Sequence, residues 1–85
     1  MLMVTRMPTG EVVFRLSGRM DAENLGELQM LLSAEVSDRN IVLDLKDLTL
    51  VDQEAVIFLG RCEMEGIQLG NCPAYIREWI NRERQ

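Results

Sequence analysis

Two short runs of apolar and polar residues stand at the start of the chain. Met1–Arg6 forms the first run, and Glu11–Ser17 forms the second, with its apolar residues on one face. Alternation of this kind predicts β-strands. Pro8–Gly10 predicts a turn between them, so we expect an antiparallel hairpin. Gly18 is expected to break the second strand.

Three later segments place apolar residues at helical spacing. Either Asp21 or Asn24 is suited to cap the first helix. The second is expected to begin at Asp52 and end at Gly66, because acidic residues favour helix starts and glycine favours helix ends. Pro73 suits the first turn of the third helix. The three apolar stripes are Leu25, Leu28 and Leu32; Ala55, Phe58, Leu59 and Cys62; and Ile76, Trp79 and Ile80.

Two further strands complete the pattern. A polar turn at Ser37–Asn40 precedes Ile41–Leu45, a nearly continuous apolar run typical of a strand covered on both faces. Ile67–Leu69 predicts a short last strand. The order is therefore β-β-α-β-α-β-α. Strand–helix–strand units favour parallel pairing, so we predict an α/β fold with a mixed four-stranded sheet whose first strand is antiparallel and lies at the edge.

Length and composition indicate one globular domain that spans residues 1–85. The chain is 47% hydrophobic but only 5% aromatic, so its core must consist of aliphatic side chains and methionine. No apolar run approaches the ~20 residues that cross a bilayer. The first residues lack the basic segment and the length of a signal peptide. We therefore expect a cytoplasmic protein with no membrane insertion.

The charge of the chain argues against a nucleic-acid partner. Nine basic and 14 acidic residues give a net charge of −5, which repels phosphate backbones and anionic lipids. The basic residues near the end are interleaved with glutamates, as is typical of a solvated helix face. These residues are Arg77, Glu78, Arg82, Glu83 and Arg84.

Few residues offer catalytic chemistry. The chain has no histidine, and the spacing of Cys62 and Cys72 does not indicate a zinc site. Cys72 precedes a predicted helix start, which favours a thiolate, but the sequence offers it no base. The acidic residues are interpreted as helix-start or surface groups. We predict no catalytic residue, no metal site and no cofactor, so the protein is not expected to be an enzyme. The acidic residues considered are Asp44, Asp47, Asp52, Glu54, Glu63 and Glu65.

An ordered set of motifs resembles the STAS domain family, which includes the anti-sigma factor antagonists and the cytoplasmic domains of sulfate transporters. The likeness runs from about Glu11 to Gly70. The resemblance implies a non-catalytic docking module. The motifs are Phe14-x-Leu16-x-Gly18-x-Met20-Asp21, Ile41–Leu45, Leu48–Asp52 and Gly66-Ile67-x-Leu69.

The resemblance also implies where a partner docks. In the antagonists, the turn after the third strand reads Asp-Ser/Thr-Ser/Thr-Gly, and its first hydroxyl residue is phosphorylated by a kinase that is also the anti-sigma factor. Phosphate there adds negative charge and blocks docking. Here Asp52 matches the family aspartate, but Gln53 occupies the phosphorylated position and Glu54 follows. These three residues are the expected docking residues, without the phosphorylation switch. Thr49, the nearest hydroxyl, is expected to be tucked against the sheet.

The leading hypothesis is a protein-interaction module of the anti-sigma factor antagonist type, active in transcription regulation by stoichiometric binding to an anti-sigma factor or kinase. The alternative is a STAS-like accessory subunit of an ABC-type membrane transport complex. A third hypothesis is a minor enzyme or ligand binder that uses Cys72 or the pair Asp52 and Glu54.

The resemblance further implies a C-terminally truncated domain, because family members usually continue past the third helix into another strand and helix. Such a form is expected to expose a sheet edge or a helix face, which would favour a homodimer or a permanent partner. The apolar stripe around Trp79 is expected to pack on the chain's own sheet, or else on a second subunit.

Overall fold

The computed structural model describes residues 2–8, 12–35 and 40–84. Its element order confirms the predicted β-β-α-β-α-β-α arrangement. The predicted turns at 8–10 and 37–40 lie largely outside the described residues. The elements are β1 Leu2–Pro8, β2 Val12–Met20, α1 Ala22–Ser33, β3 Ile41–Val51, α2 Gln53–Met64, β4 Gln68–Gly70 and α3 Ala74–Glu83.

The four strands form one mixed sheet in the order β1-β2-β3-β4. β1 is antiparallel to β2, whereas β2, β3 and β4 run parallel. The predicted mixed sheet, with its antiparallel first strand at the edge, is therefore confirmed. The parallel order also brings the carboxyl ends of β2 and β3 to the same edge of the sheet.

β3 is longer than the predicted Ile41–Leu45 because two bulges correct its register. The buried residues Leu45, Leu48 and Val51 recur every three positions, which a regular strand would place on alternating faces. At each register shift against β2, β3 contains one extra residue, and each extra residue returns the next apolar side chain to the core. Gly18, with a φ of 91°, adjoins the second shift. β2 therefore continues through Gly18 to Met20, and the expected break at Gly18 is wrong.

One hydrophobic cluster joins one face of the sheet to the buried stripes of all three helices. From the sheet it takes the inward-facing residues of β2 and β3, such as Phe14 and Leu43. α2 contributes most of the helical part. As predicted, α2 ends before Gly66, whose φ of 96° suits the residue after a helix end.

α3 packs mainly against α2. Ile76 and Ile80 are fully buried, and Trp79 is partly buried against the same core. A Cβ atom at Gly60 would lie 3.4 Å from Cγ2 of Ile80, so the two helices approach closely. The apolar stripe of α3 therefore packs within its own domain, which was the first of the two expectations. It packs chiefly on α2 rather than on the sheet. None of the described helices is long and apolar enough to span a bilayer.

Candidate functional site

The starts of α1 and α2 lie side by side. β2 leads into α1 and β3 leads into α2, and the two strands are parallel neighbours, so both helices begin at the same edge of the sheet. Asp21 caps α1 and Asp52 caps α2. The polar residues at this edge form the candidate site.

Asp21 and Asn24 both stabilise the start of α1. The Asp21 carboxylate accepts a hydrogen bond from the Glu23 backbone N–H at 3.1 Å. In return, the Asn24 side-chain oxygen accepts one from the Asp21 N–H at 3.0 Å. This reciprocal pair is a capping box, in which two otherwise unsatisfied donors are paired. The two alternatives for the cap are thus parts of one arrangement.

Asp52 connects the two helix starts. Its Oδ1 accepts a hydrogen bond from the Ala55 N–H at 2.8 Å, and its Oδ2 accepts one from the Ala22 N–H at 3.1 Å. The Asp52 N–H donates to the Met20 carbonyl at 3.3 Å. One carboxylate therefore fixes α1 and α2 relative to each other. It also suits the positive end of both helix dipoles.

Gln53 and Glu54 face solvent directly after this anchor. Leu50, just before it, is 53% exposed. We call residues 50–54 the β3–α2 turn. Its backbone is held by Asp52, while its other polar side chains point outward, so the turn offers a firm surface to a partner.

Sequence reasoning missed Glu83 as a neighbour of this site. The last residue of α3 comes within hydrogen-bond distance of the first residue of α2. There the Gln53 side-chain Nε2 donates to Oε1 of Glu83 at 3.2 Å. The two residues are 30 positions apart, and only the apolar stripe of α3 indicated that this helix packs at all. The direction of α3 along α2 had no signal in the sequence.

Thr49 is exposed rather than tucked against the sheet, so that expectation is wrong. Its hydroxyl donates to the Gly18 carbonyl at 3.0 Å. The reason is the bulged end of β3, which turns Thr49 and Leu50 outward between the buried Leu48 and Val51.

The cysteines lack the features of a nucleophile. Burial raises the pKa of Cys62 to about 12. Burial also raises the pKa of Cys72, whose Sγ lies 3.6 Å from the Pro73 carbonyl. An activated thiol requires the opposite shift. The raised pKa of Cys72 therefore argues against its use as an activated thiol.

Two of the acidic residues are engaged in structural contacts. Asp44 accepts a hydrogen bond from Asn71 at 3.3 Å and lies 3.9 Å from Arg15. Glu63 forms a bidentate salt bridge with Arg77, in which both nitrogen–oxygen distances are 2.8 Å. Across residues 2–8, 12–35 and 40–84, no group of three or more acidic, cysteine or histidine side chains is arranged to hold a metal ion.

Comparison with known families gives one match. The sequence model of the STAS domain matches residues 3–64. The match extends from β1 to the last residue of α2, and it includes the β3–α2 turn. A search of curated proteins finds no match.

Proposed function

Because the chain belongs to the STAS domain family, we propose that it is a protein-interaction module of the anti-sigma factor antagonist type. Its partner, an anti-sigma factor or kinase, docks on the β3–α2 turn at Asp52, Gln53 and Glu54. The module acts in the cytoplasm, in transcription regulation, by stoichiometric binding without a catalytic step.

One observation supports this proposal above the others. Gln53 and Glu54 are exposed on a turn whose backbone is fixed by the two hydrogen bonds of the Asp52 carboxylate. A surface that is already ordered loses little conformational entropy on binding. Solvent-facing side chains on a firm turn are what a docking module requires.

The same turn has no phosphorylation switch at position 53. The Ser/Thr phosphorylation of the antagonists needs a hydroxyl, and the Gln53 amide provides none. Regulation at this position therefore depends on the amounts of module and partner rather than on a phosphate.

The experiment is affinity capture from the native cell with three baits: the wild type, Gln53→Lys and Gln68→Lys. Gln68 is an exposed glutamine on β4, outside the β3–α2 turn, so it provides the matched control. We expect the wild type and Gln68→Lys to capture an anti-sigma factor or kinase, and Gln53→Lys to lose it. Capture of a transport ATPase or permease instead would contradict this function and favour the accessory-subunit alternative.

Intact-mass analysis of the recovered wild type tests the missing switch. We expect no phosphate after co-expression with the captured kinase. A phosphate mapped to the exposed Thr49 would show that the switch had moved to that hydroxyl, and would contradict regulation by amount alone.

A further inference from the structure

The two edges of the sheet are protected to very different degrees. β4 has only three residues, and such short edge strands offer little to a further strand. β1 has seven residues and pairs with β2 alone among the described strands. Its one charged side chain, Arg6, is drawn toward α1 by Glu35, with Nε and Oε1 2.7 Å apart. Within the described part of the chain, the outer backbone groups of β1 therefore have no further strand to pair with.

An apolar cleft lies beside this open edge. Leu2 and Val4 of β1 and Leu28 and Leu31 of α1 line it, and its volume is ≈ 210 Å³. Leu31 remains 41% exposed at the rim. An edge strand next to apolar side chains is the arrangement to which a further strand adds, because backbone hydrogen bonds and side-chain burial then form together.

The charged groups around the cleft are arranged for a second copy of the same surface. Glu27 lines the same cleft as Leu2, and Arg6 lies toward the other end of the strand, with its side chain 44% exposed. If two β1 strands pair in antiparallel fashion around Val4, Arg6 of each copy comes opposite Leu2 of the other, beside Glu27. Opposite charges then meet at both ends, and the apolar residues meet in the middle.

We propose that two copies of this chain associate through antiparallel pairing of their β1 strands, with α1 packed beside α1 across a two-fold axis. The pairing joins the two sheets into one eight-stranded sheet. It satisfies the outward backbone groups of β1 and covers the cleft. It also leaves the β3–α2 turn uncovered on each copy, because that turn belongs to β3 and α2 rather than to the open edge.

Sedimentation velocity over a wide range of protein concentrations tests this dimer. The wild type should sediment as a dimer that dissociates on dilution. Leu31→Glu should weaken association by ~10-fold or more, because it buries a carboxylate without a partner in the interface. Met30→Glu is the matched control: it makes the same kind of change on the same helix, but Met30 is 74% exposed and does not line the cleft.

A second variant keeps the dimer testable if Leu31→Glu fails to fold. Glu27→Arg changes an exposed residue and brings its new charge next to Arg6 of the other copy, so it should also weaken the dimer. Circular dichroism should show native spectra for all three variants. A wild type that stays monomeric at every concentration would overturn the proposal. So would a dimer that neither Leu31→Glu nor Glu27→Arg weakens, or one that Met30→Glu weakens equally.

Discussion

At the scale of single residues, Asp52 explains why the neighbouring positions are available to a partner. A capping carboxylate normally satisfies N–H groups of its own helix. Asp52 does so at Ala55 and also accepts from Ala22 of α1. Because this residue makes the local structural contacts, Gln53 and Glu54 are left to face solvent.

Replacement of Asp52 tests this division of roles. Asp52→Ala should lower the free energy of unfolding by about 1–2 kcal/mol, since loss of a helix cap typically has this effect. Glu54→Ala, a change at an exposed position two residues further along the chain, should stay within ~0.5 kcal/mol of the wild type. Urea unfolding followed by circular dichroism measures both. Equal effects of the two variants would contradict the anchoring role of Asp52.

At the scale of elements, α1 contains a glycine that its surroundings do not require. Gly26 lies in the middle of the helix, and a Cβ atom there would meet nothing within 4 Å. Gly66 is different, because its φ of +96° is strained for any other residue.

This contrast predicts changes of opposite sign. Gly26→Ala should raise the free energy of unfolding by ~0.5–1 kcal/mol, because alanine loses less conformational freedom in a helix. Gly66→Ala should lower it. Thermal unfolding of both variants provides the comparison. A Gly26→Ala variant no more stable than the wild type would mean that α1 frays around this position.

The packing of α3 on α2 makes a second prediction at this scale. Ile80→Ala should lower the free energy of unfolding by ~2–5 kcal/mol, because Ile80 is 1% exposed and fits against Gly60. Trp79→Ala should also destabilise the domain without changing its oligomeric state. Tyr75→Ala, at a residue that is 49% exposed, is the control. Calorimetry measures the stability of each variant, and light scattering measures its oligomeric state. Conversion of a dimer into a folded monomer by Trp79→Ala would contradict this prediction.

The strands show how far the sequence alone predicts this fold. Hydrophobic spacing predicted every element and its order, because period-two and helical patterns follow from burial on one face. It failed where Leu45, Leu48 and Val51 recur every three residues. That spacing results from the extra residues that β3 contains opposite β2. The pattern of apolar residues within one segment does not show how that segment pairs with a distant strand.

The features of the candidate site could likewise be predicted only in part. The resemblance to the STAS family pointed to Asp52, Gln53 and Glu54, because they stand where the family's Asp-Ser/Thr-Ser/Thr-Gly turn follows the third strand. It could not identify Glu83 beside Gln53, or the second helix start at Ala22, since both contacts arise from how whole elements pack. Thr49 was misplaced for the same reason, because the bulged end of β3 decides which way it faces.

At the scale of the whole molecule, a cluster of charges fixes α3 to the rest of the domain. Glu63 of α2 pairs with Arg77 at 2.8 Å and with Arg84 at 3.1 Å. These hydrogen bonds, chiefly those from Arg77, lower the pKa of Glu63. The cluster thereby holds α3 against the C-terminal turn of α2, at the end of that helix opposite the β3–α2 turn.

The lowered pKa makes stability depend on pH with a definite sign. Because the folded pKa of Glu63 lies below its unfolded value, the stabilisation is complete above the unfolded pKa and is lost as pH falls through the folded one. Glu63→Gln should lower the free energy of unfolding by about 0.5–1 kcal/mol at neutral pH. Its difference from the wild type should shrink as pH falls below about 4, the ordinary range of a glutamate pKa, and should vanish only below the lowered pKa of the folded state. Urea titrations across this range, with exposed Glu78→Gln as control, test the effect, and a difference independent of pH would refute it.

Three helices contact the proposed docking turn: α1 and α2 through Asp52, and α3 through Glu83. The most direct test is calorimetric titration of the captured partner into the wild type, Gln53→Asp, Gln53→Lys and the control Gln68→Lys. All four proteins should unfold with free energies within ~0.5 kcal/mol of one another, since each change is on the surface. We predict that both Gln53 variants bind the partner more weakly while Gln68→Lys binds like the wild type. Undiminished binding by both Gln53 variants would contradict docking on the β3–α2 turn.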